Sequence, residues 1–480
     1  MAQSQPPSPS ENPNRPVKFF ARREKIYAKE ASGRFRRLKW IVMAVTLAIY
    51  YLAPLIRWHR PGPAPDQAIL IDLPSRRAYW FFIEIWPQEV YYLTAILVFS
   101  AVALFFVTSI LGRVWCGYFC PQTVWTDLFI KIEHLVQGDR VARQRLDKMP
   151  LCFEKIWKKG LTHLLWLLVG LSTGGAFVFY FNDAPTLWGQ ILDLEVSSTV
   201  TGFIAALTFS TYLMAGFARE QVCIYMCPYA RFQSAMFDKD TLIIGYDAQR
   251  GEPRGKHKAG TSWENKGHCI DCTACVQVCP MGIDIRNGLQ MECIACGLCV
   301  DACDNIMDKI NLPRGLIRYD TERHIESQDK KAEDKFRIMR PRTIYYILIL
   351  AGISALVVYG QASRKPFEVH VLHNRNPLMI QMSDGTIRNG YDLKILNKTH
   401  LDTHFALSIQ NIDNAEIIIR NAGHLSPDNL LVPADNVGSF NMFVTAPPQA
   451  EGNKDVIFTL HNKSTGKEEA YKSMFISKRD

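Results

Sequence analysis

Five uncharged apolar stretches, residues 40–56, 90–111, 161–181, 199–218 and 343–359, constrain this chain more than any other feature. Each is 17–22 residues long, holds no Lys or Arg, and has no acidic residue except at an edge. A bilayer core of about 30 Å takes about 20 helical residues, and only structures that satisfy their own backbone groups can span it. The stretches therefore predict five transmembrane helices; burying five such helices inside a water-soluble domain is the weaker alternative. Trp40, Tyr50, Tyr51, Trp58, Trp86, Tyr91, Tyr92, Tyr180 and Trp188 cluster near their ends, where interfacial aromatics belong. A mean hydropathy of −0.04 hides this because the apolar residues are concentrated rather than spread.

Charge gives the expected orientation. Lys and Arg number ten in residues 1–39, four in 57–89, nine in 112–160, none in 182–198 and nineteen in 219–342. The alternation places the basic segments in the cytoplasm and residues 361–480 in the periplasm of a bacterium, with the chain in the inner membrane. Most of the net charge of +9 is this bias, so nucleic acid is not an expected partner; membrane lipid is. Residues 1–39, Pro-rich at the start and basic throughout, read as a disordered cytoplasmic arm. Residues 40–218 carry four spans, 219–342 a cytoplasmic segment, and 343–360 the fifth span. In residues 361–480, short alternating stretches (391–395, 405–410, 455–461) lie between turn clusters at 383–386, 388–390, 446–448 and 464–466. That pattern predicts an immunoglobulin-like β-sandwich.

All thirteen cysteines lie between Cys116 and Cys303, a clustering that suits metal sites rather than a disulfide framework. Cys269, Cys272, Cys275 and Cys279 are followed by Pro280; Cys293, Cys296, Cys299 and Cys303 repeat the spacing, with Asp304 in place of Pro. Three cysteines two residues apart let one short loop wrap three corners of a cubane cluster, while the fourth reaches the other cluster. The expected sets are Cys269, Cys272, Cys275 and Cys303 for one [4Fe-4S] cluster and Cys279, Cys293, Cys296 and Cys299 for the second, in a ferredoxin module at about 260–312. Zinc is the competing reading, but it favours paired Cys-x2-Cys.

A second pattern is Cys116-Gly-Tyr-Phe-Cys120-Pro121 after the second span and Cys223-Ile-Tyr-Met-Cys227-Pro228 after the fourth. An i, i+4 pair faces one side of a helix, and each Pro would stop or kink that helix. Soft thiols at a membrane edge suit Cu(I), zinc or a redox dithiol, and the repeat suggests that Cys116, Cys120, Cys223 and Cys227 form one copper or redox site. Cys152 is isolated and reads as structural. His163, at the start of the third span, lacks the second facing His that a haem ordinarily takes. His370, His373, His400, His404, Met379 and Met382 could in principle ligate copper, but on strands and turns such residues are more often plain surface. No acid–base or nucleophilic constellation points to hydrolysis.

With these residues in view, the chain resembles the cytochrome c oxidase accessory proteins of the FixG/CcoG type, membrane polyferredoxins. The likeness rests on Ile71-Asp-Leu-Pro74, Trp86-Pro-Gln88, the block from Gly112 to Trp125, Glu133, Gly138-Asp-Arg140, Cys223 to Arg231 and both ferredoxin runs. It implies a five-helix membrane bundle with an inserted bacterial 2[4Fe-4S] ferredoxin module and a C-terminal immunoglobulin-like β-sandwich. It further implies maturation of cbb3-type cytochrome oxidase, with Cu(II) as a substrate reduced to Cu(I) at the cytoplasmic face. Expected partners are cbb3-type oxidase subunits or assembly factors, a copper chaperone or transporter, and a cytosolic electron donor. A quinol-linked electron-transfer subunit and a redox-sensing assembly scaffold stay open, as does a homodimer.

Overall fold

The computed structural model describes residues 25–60, 64–257, 263–264, 266–326, 337–421, 423–448 and 452–477. Among them are five helices long and apolar enough to cross a membrane: Arg34–Leu55, Pro87–Leu111, Phe153–Val178, Ser198–Ala218 and Pro341–Ala362. All five begin before the apolar stretch does, because helical backbone continues through polar flanks such as Arg34–Lys39 that composition alone excludes. The contacts divide the chain into two units, one built from Met1–Leu47, Ala103–Gly174 and Ile204–Ile344, the other from Ala48–Val102, Gly175–Phe203 and Tyr345–Asp480.

In the first unit, the ferredoxin module is closed by an antiparallel ribbon that pairs Leu242–Tyr246 with Ile317–Thr321. Ile244, Tyr246, Ile285, Val300, Met307, Leu316 and Ile317 fill the core beneath it. The helix Leu298–Lys309 carries Cys299 and Cys303. Leu298 and Ala302 of that helix pack in one apolar cluster and Val300 and Met307 in another, so the helix is buried on two faces.

The expectation of a disordered arm at 1–39 needs correction over its second half. Residues 1–24 lie outside the described residues, but 25–39 are docked. Asp147 receives Lys25 Nζ at 2.7 Å and Tyr27 Oη at 2.6 Å. Asp127 takes both Nη atoms of Arg36 at 2.9 Å, with Lys39 Nζ at 3.5 Å. Asp301 accepts the backbone N–H groups of Phe35 at 3.2 Å and Arg36 at 2.7 Å, so a carboxylate from the ferredoxin helix caps the N-terminus of the first span. The basic residues that suggested a solvated tail are neutralised by carboxylates distant in sequence.

In the second unit, residues 366–477 form the immunoglobulin-like sandwich. One sheet runs Gly423–Leu425, Glu416–Asn421, Asn436–Ala446, Ile387–Asn397, Phe367–His373; the other runs Leu430–Val432, Thr403–Gln410, Lys454–Asn462, Glu468–Phe475. Inward residues alternate along the strands, and Tyr391, Leu393, Ile395, Phe405, Leu407, Phe458 and Leu460 interleave between the sheets. The Arg388-Asn-Gly390 turn expectation fails: the three sit inside Ile387–Asn397, where buried Asn389 donates to the Ile476 carbonyl at 2.9 Å and accepts from its N–H at 3.1 Å. An Asn-Gly pair that signals a turn in sequence here ties a strand to the backbone just past the strand Glu468–Phe475. The 57–89 segment forms a three-stranded meander, Ile69–Asp72, Arg77–Trp80 and Ile83–Ile85, and the 182–198 segment holds a helix, Ala184–Leu192, capped by Asp183.

Candidate functional site

The two cysteine runs of the ferredoxin module share one backbone device. Asp271 and Thr273, two and four residues after Cys269, have φ of 53° and 54°; Ala295 and Gly297, at the same offsets after Cys293, have φ of 51° and 75°. Left-handed conformations at alternate positions curl each loop so that successive cysteines turn toward one centre. A single glycine marks the four positions, so the pattern is nearly silent in the sequence.

Cys269, Cys272, Cys275 and Cys303 line one cavity together with Tyr246, Arg286 and Ile317. Cys279, Cys293, Cys296 and Cys299 form a separate group of mutual neighbours. Among the described residues, no three of these sulfurs converge within 4.8 Å. A cavity lined by four cysteines fits a [4Fe-4S] cluster, which takes four thiolate ligands. Burial pushes the thiols of Cys279 up to about 11 and of Cys275, Cys293 and Cys303 to about 12. Such thiols keep their protons at neutral pH until a metal displaces them.

The two Cys-x3-Cys-Pro motifs are not α-helical. Each lies in a π-helical turn, Trp115–Phe119 and Val222–Met226, closed by Cys120 N–H to Trp115 O at 2.9 Å and by Cys227 N–H to Val222 O at 2.8 Å. Such turns concentrate at functional sites. The prolines start helices rather than stop them. Cys120 and Cys227 are extended, as residues before Pro tend to be, and Pro121 and Pro228 occupy the first positions of Pro121–Gln137 and Pro228–Met236. Each motif thus joins two helices through one tight turn.

These turns place Cys116 and Cys223 in one packed cluster within one chain, with Cys120 and Cys227 near enough to act electrostatically on both thiols; among the described residues no three of the four sulfurs lie within 4.8 Å of one another. Burial raises the Cys116 thiol to about 11 and the Cys223 thiol to about 12. Gln233, fully buried, lies 3.4–3.5 Å from Cys116 Sγ. Neither sequence pattern signals that glutamine.

The quartet adjoins the second cysteine set. Cys116 and Cys223 pack in one apolar cluster with Cys279, Cys296, Cys299, Ile294 and Met281. Tyr118 Oη donates to the Cys296 carbonyl at 3.0 Å. A Cβ on Gly117 would meet the Ile294 carbonyl oxygen at 2.6 Å, so only glycine lets this turn approach the loop between Cys293 and Cys296. Arg113 donates to the carbonyls of Met291 and Ala230, bridging the segment just before Cys293 to the helix that follows the second motif.

Sequence reading gave Glu133 no role beyond resemblance. It is buried, and takes Arg143 Nη1 at 2.7 Å and Arg219 Nη2 at 2.7 Å. Burial works to raise its carboxyl, but Arg219 and then Arg143 outweigh it and hold the group below the ordinary carboxylate range. Arg219 stands four residues before Cys223 with φ of 42°, so Glu133 fixes a strained entry to the second motif. Cys152 is half-buried with a free thiol.

A relative matched over nearly its whole length settles the family. The nitrogen fixation protein FixG of Rhizobium meliloti (strain 1021) is 44% identical over 491 residues, covering 95% of this chain and 93% of its own. The chain belongs to the FixG family. Protein RdxB of Cereibacter sphaeroides is 44% identical, covering 91% of this chain and 92% of its own. The FixG-family profile described as the IG-like fold at the C-terminus of FixG matches residues 357–478. A 4Fe-4S dicluster domain profile matches 218–322 and a 4Fe-4S binding domain profile 93–140. The solved FixG-related protein from Vibrio parahaemolyticus covers 24% of this chain and 100% of its own at 22% identity, with a TM-score of 0.21. The chain is a membrane protein with 4Fe-4S domains, which support electron transfer.

Proposed function

We propose that this FixG-family protein reduces Cu(II) to Cu(I) during assembly of a cbb3-type cytochrome oxidase, with Cys116, Cys120, Cys223 and Cys227 binding the copper. One observation carries the reading: Cys116 and Cys223 share a packed cluster with Cys279, Cys296 and Cys299, which puts a set of soft ligands against the second ferredoxin run. Cys269, Cys272, Cys275 and Cys303 would hold one [4Fe-4S] cluster and Cys279, Cys293, Cys296 and Cys299 the other; bound there, they supply single electrons at low potential. Each Cu(II) takes one electron and becomes Cu(I), the state thiolates favour. The thiols of Cys116 and Cys223, raised by burial, release protons as copper binds, and Gly117, Tyr118 and Arg113 hold the copper turn against the Cys293–Cys296 loop.

The Lys and Arg distribution supports a cytoplasmic face for the cysteines and a periplasmic one for the sandwich. A cytosolic donor, a copper chaperone or transporter and oxidase subunits or assembly factors would then meet the protein on defined sides.

The test is reduced, purified protein mixed with Cu(II), with Cu(I) followed by a specific chelator. The parent is expected to produce Cu(I) as its iron–sulfur absorbance, bleached by reduction, recovers to that of the oxidised form. A variant with all four cysteines changed to Ala should keep its clusters and lose most of this rate; an unchanged rate sinks the copper site.

A second reading, a quinol-linked subunit, draws on a cavity of about 270 Å³ lined by His163, Trp166, Gly216, Phe217, Arg219 and Glu220. Rapid cluster oxidation by a quinone analogue, with no copper reduction, would favour it.

A further inference from the structure

We propose a divalent-cation site in the second unit, made by Glu84, His400 and Asp435 and distinct in chemistry from the cysteine centres. Among the described residues, these three form the one trio of His, Cys, Asp or Glu whose ligand atoms all lie within 4.8 Å of one another. Glu84 comes from the short strand Ile83–Ile85, His400 and Asp435 from neighbouring loops of the sandwich.

The carboxylates are what demand a ligand. Glu84 is 6% exposed and Asp435 5%, yet Glu84 Oε1 and Asp435 Oδ1 have no hydrogen-bond partner among the described residues. Leaving a buried charged oxygen unpaired is costly. The nearest cations do not answer the demand, because each is engaged elsewhere. Arg60 is spread over the carbonyls of Pro65, Gln67, Ala68 and Phe81. Arg364 pairs with Glu89 at 3.0 and 3.1 Å. Arg77 donates to the Asp435 carbonyl at 2.6 Å and covers the Trp86 ring.

The geometry suits a metal. His400 Nδ1 lies 2.7 Å from Asp435 Oδ2, the carboxylate–imidazole contact that fixes the tautomer and frees Nε2 as a ligand. That Nε2 stands 3.9 Å from Glu84 Oε1, a gap that one ion bonded at about 2.1 Å to each atom can span. The loops are held in place before any ion arrives. Asn397 Nδ2 donates to Leu401 O, Val432 O and Pro433 O, and the Asp435 N–H donates to Thr399 O at 2.9 Å. His400, with 37% of its side chain exposed, opens the site to solvent. Two carboxylates and one imidazole select a borderline-to-hard divalent ion, of the Zn(II) or Mn(II) kind, over Cu(I).

Mn(II) is the discriminating probe because it avoids thiolates. Full-length protein in detergent, treated with chelator, would be titrated with Mn(II) while the signal of free Mn(II) is followed by electron paramagnetic resonance. One Mn(II) per chain is expected, with nitrogen coupling from an imidazole. Glu84→Gln and Asp435→Asn should each weaken it by about ten- to a hundredfold, and His400→Gln should remove the nitrogen coupling. The four-cysteine Ala variant should bind as the parent does. Absence of Mn(II) uptake by folded parent, or equal binding by E84Q, overturns the proposal; so does a Glu84→Gln protein that is more heat-stable with and without Mn(II), which would mark a shared proton instead.

Discussion

Tyr118 Oη reaches the carbonyl of Cys296 at 3.0 Å, so one hydroxyl joins the first Cys-x3-Cys-Pro turn to a cluster-binding loop. Removing it should loosen the join without emptying the cysteine sets. Tyr118→Phe is expected to keep its iron content and lose about 1 kcal/mol of local stability. Stopped-flow mixing of reduced protein with Cu(II) should show a severalfold slower phase; a rate equal to the parent's would mean the contact plays no part.

Gly117 makes a harder version of the same test. A methyl group there would collide with backbone, the Ile294 carbonyl oxygen at 2.6 Å, which cannot swing aside as a side chain could. Gly117→Ala should displace the turn from the loop and cost roughly 1–3 kcal/mol. Copper reduction should fall more than in Tyr118→Phe, with the far cysteine set, which includes Cys269 and Cys303, undisturbed in its spectrum.

The crossed arrangement of the ferredoxin cysteines predicts which centre each substitution empties. Cys303→Ser should affect the set with Cys269, although it lies in the second run; Cys279→Ser should affect the set with Cys293. Each variant is expected to fall from about eight irons per chain toward four, and electron paramagnetic resonance of the reduced protein should show different surviving signals. Identical surviving signals would contradict the crossing.

Glu133 carries a pH prediction. Its carboxyl is held below its ordinary value of 4.5, so its contribution is complete above that pH and fades as pH falls through the lower, folded value. Thermal melts in detergent should therefore drop in acid below about pH 4.5. Glu133→Gln leaves Arg143 and Arg219 without their buried partner and should cost about 3–5 kcal/mol at neutral pH. A melt that matches the parent's at pH 7 would show that the arginines find other partners.

Much of this molecule is legible in the residues because its strongest signals are local. Five long apolar runs need no tertiary partner to be recognised, and Cys-x2-Cys-x2-Cys spells out a loop around a cluster. Legibility ends where partners are distant. Lys39 and Arg36 read as a solvated basic tail because Asp127 is some ninety residues away. Asn389-Gly390 reads as a turn because the Ile476 backbone that occupies Asn389 lies at the other end of the domain. The π-helical turns at Cys116 and Cys223 leave no mark in spacing, since an i, i+4 pair faces one side in either helix type. Glu84 offered no metal signal at all, for its partners His400 and Asp435 come from a different part of the chain.

The cap on the first span also has a timetable. The carboxylate that receives the Arg36 N–H belongs to Asp301, 265 residues later. At about 5–20 residues per second, the ribosome needs roughly 13 to 50 seconds to supply it. Throughout that interval the earliest membrane helix has its leading amides unmet by the partner they finally take, and that partner sits between two cluster cysteines, Cys299 and Cys303. The final seating of the first helix therefore waits on synthesis of the ferredoxin module, late in the making of the protein.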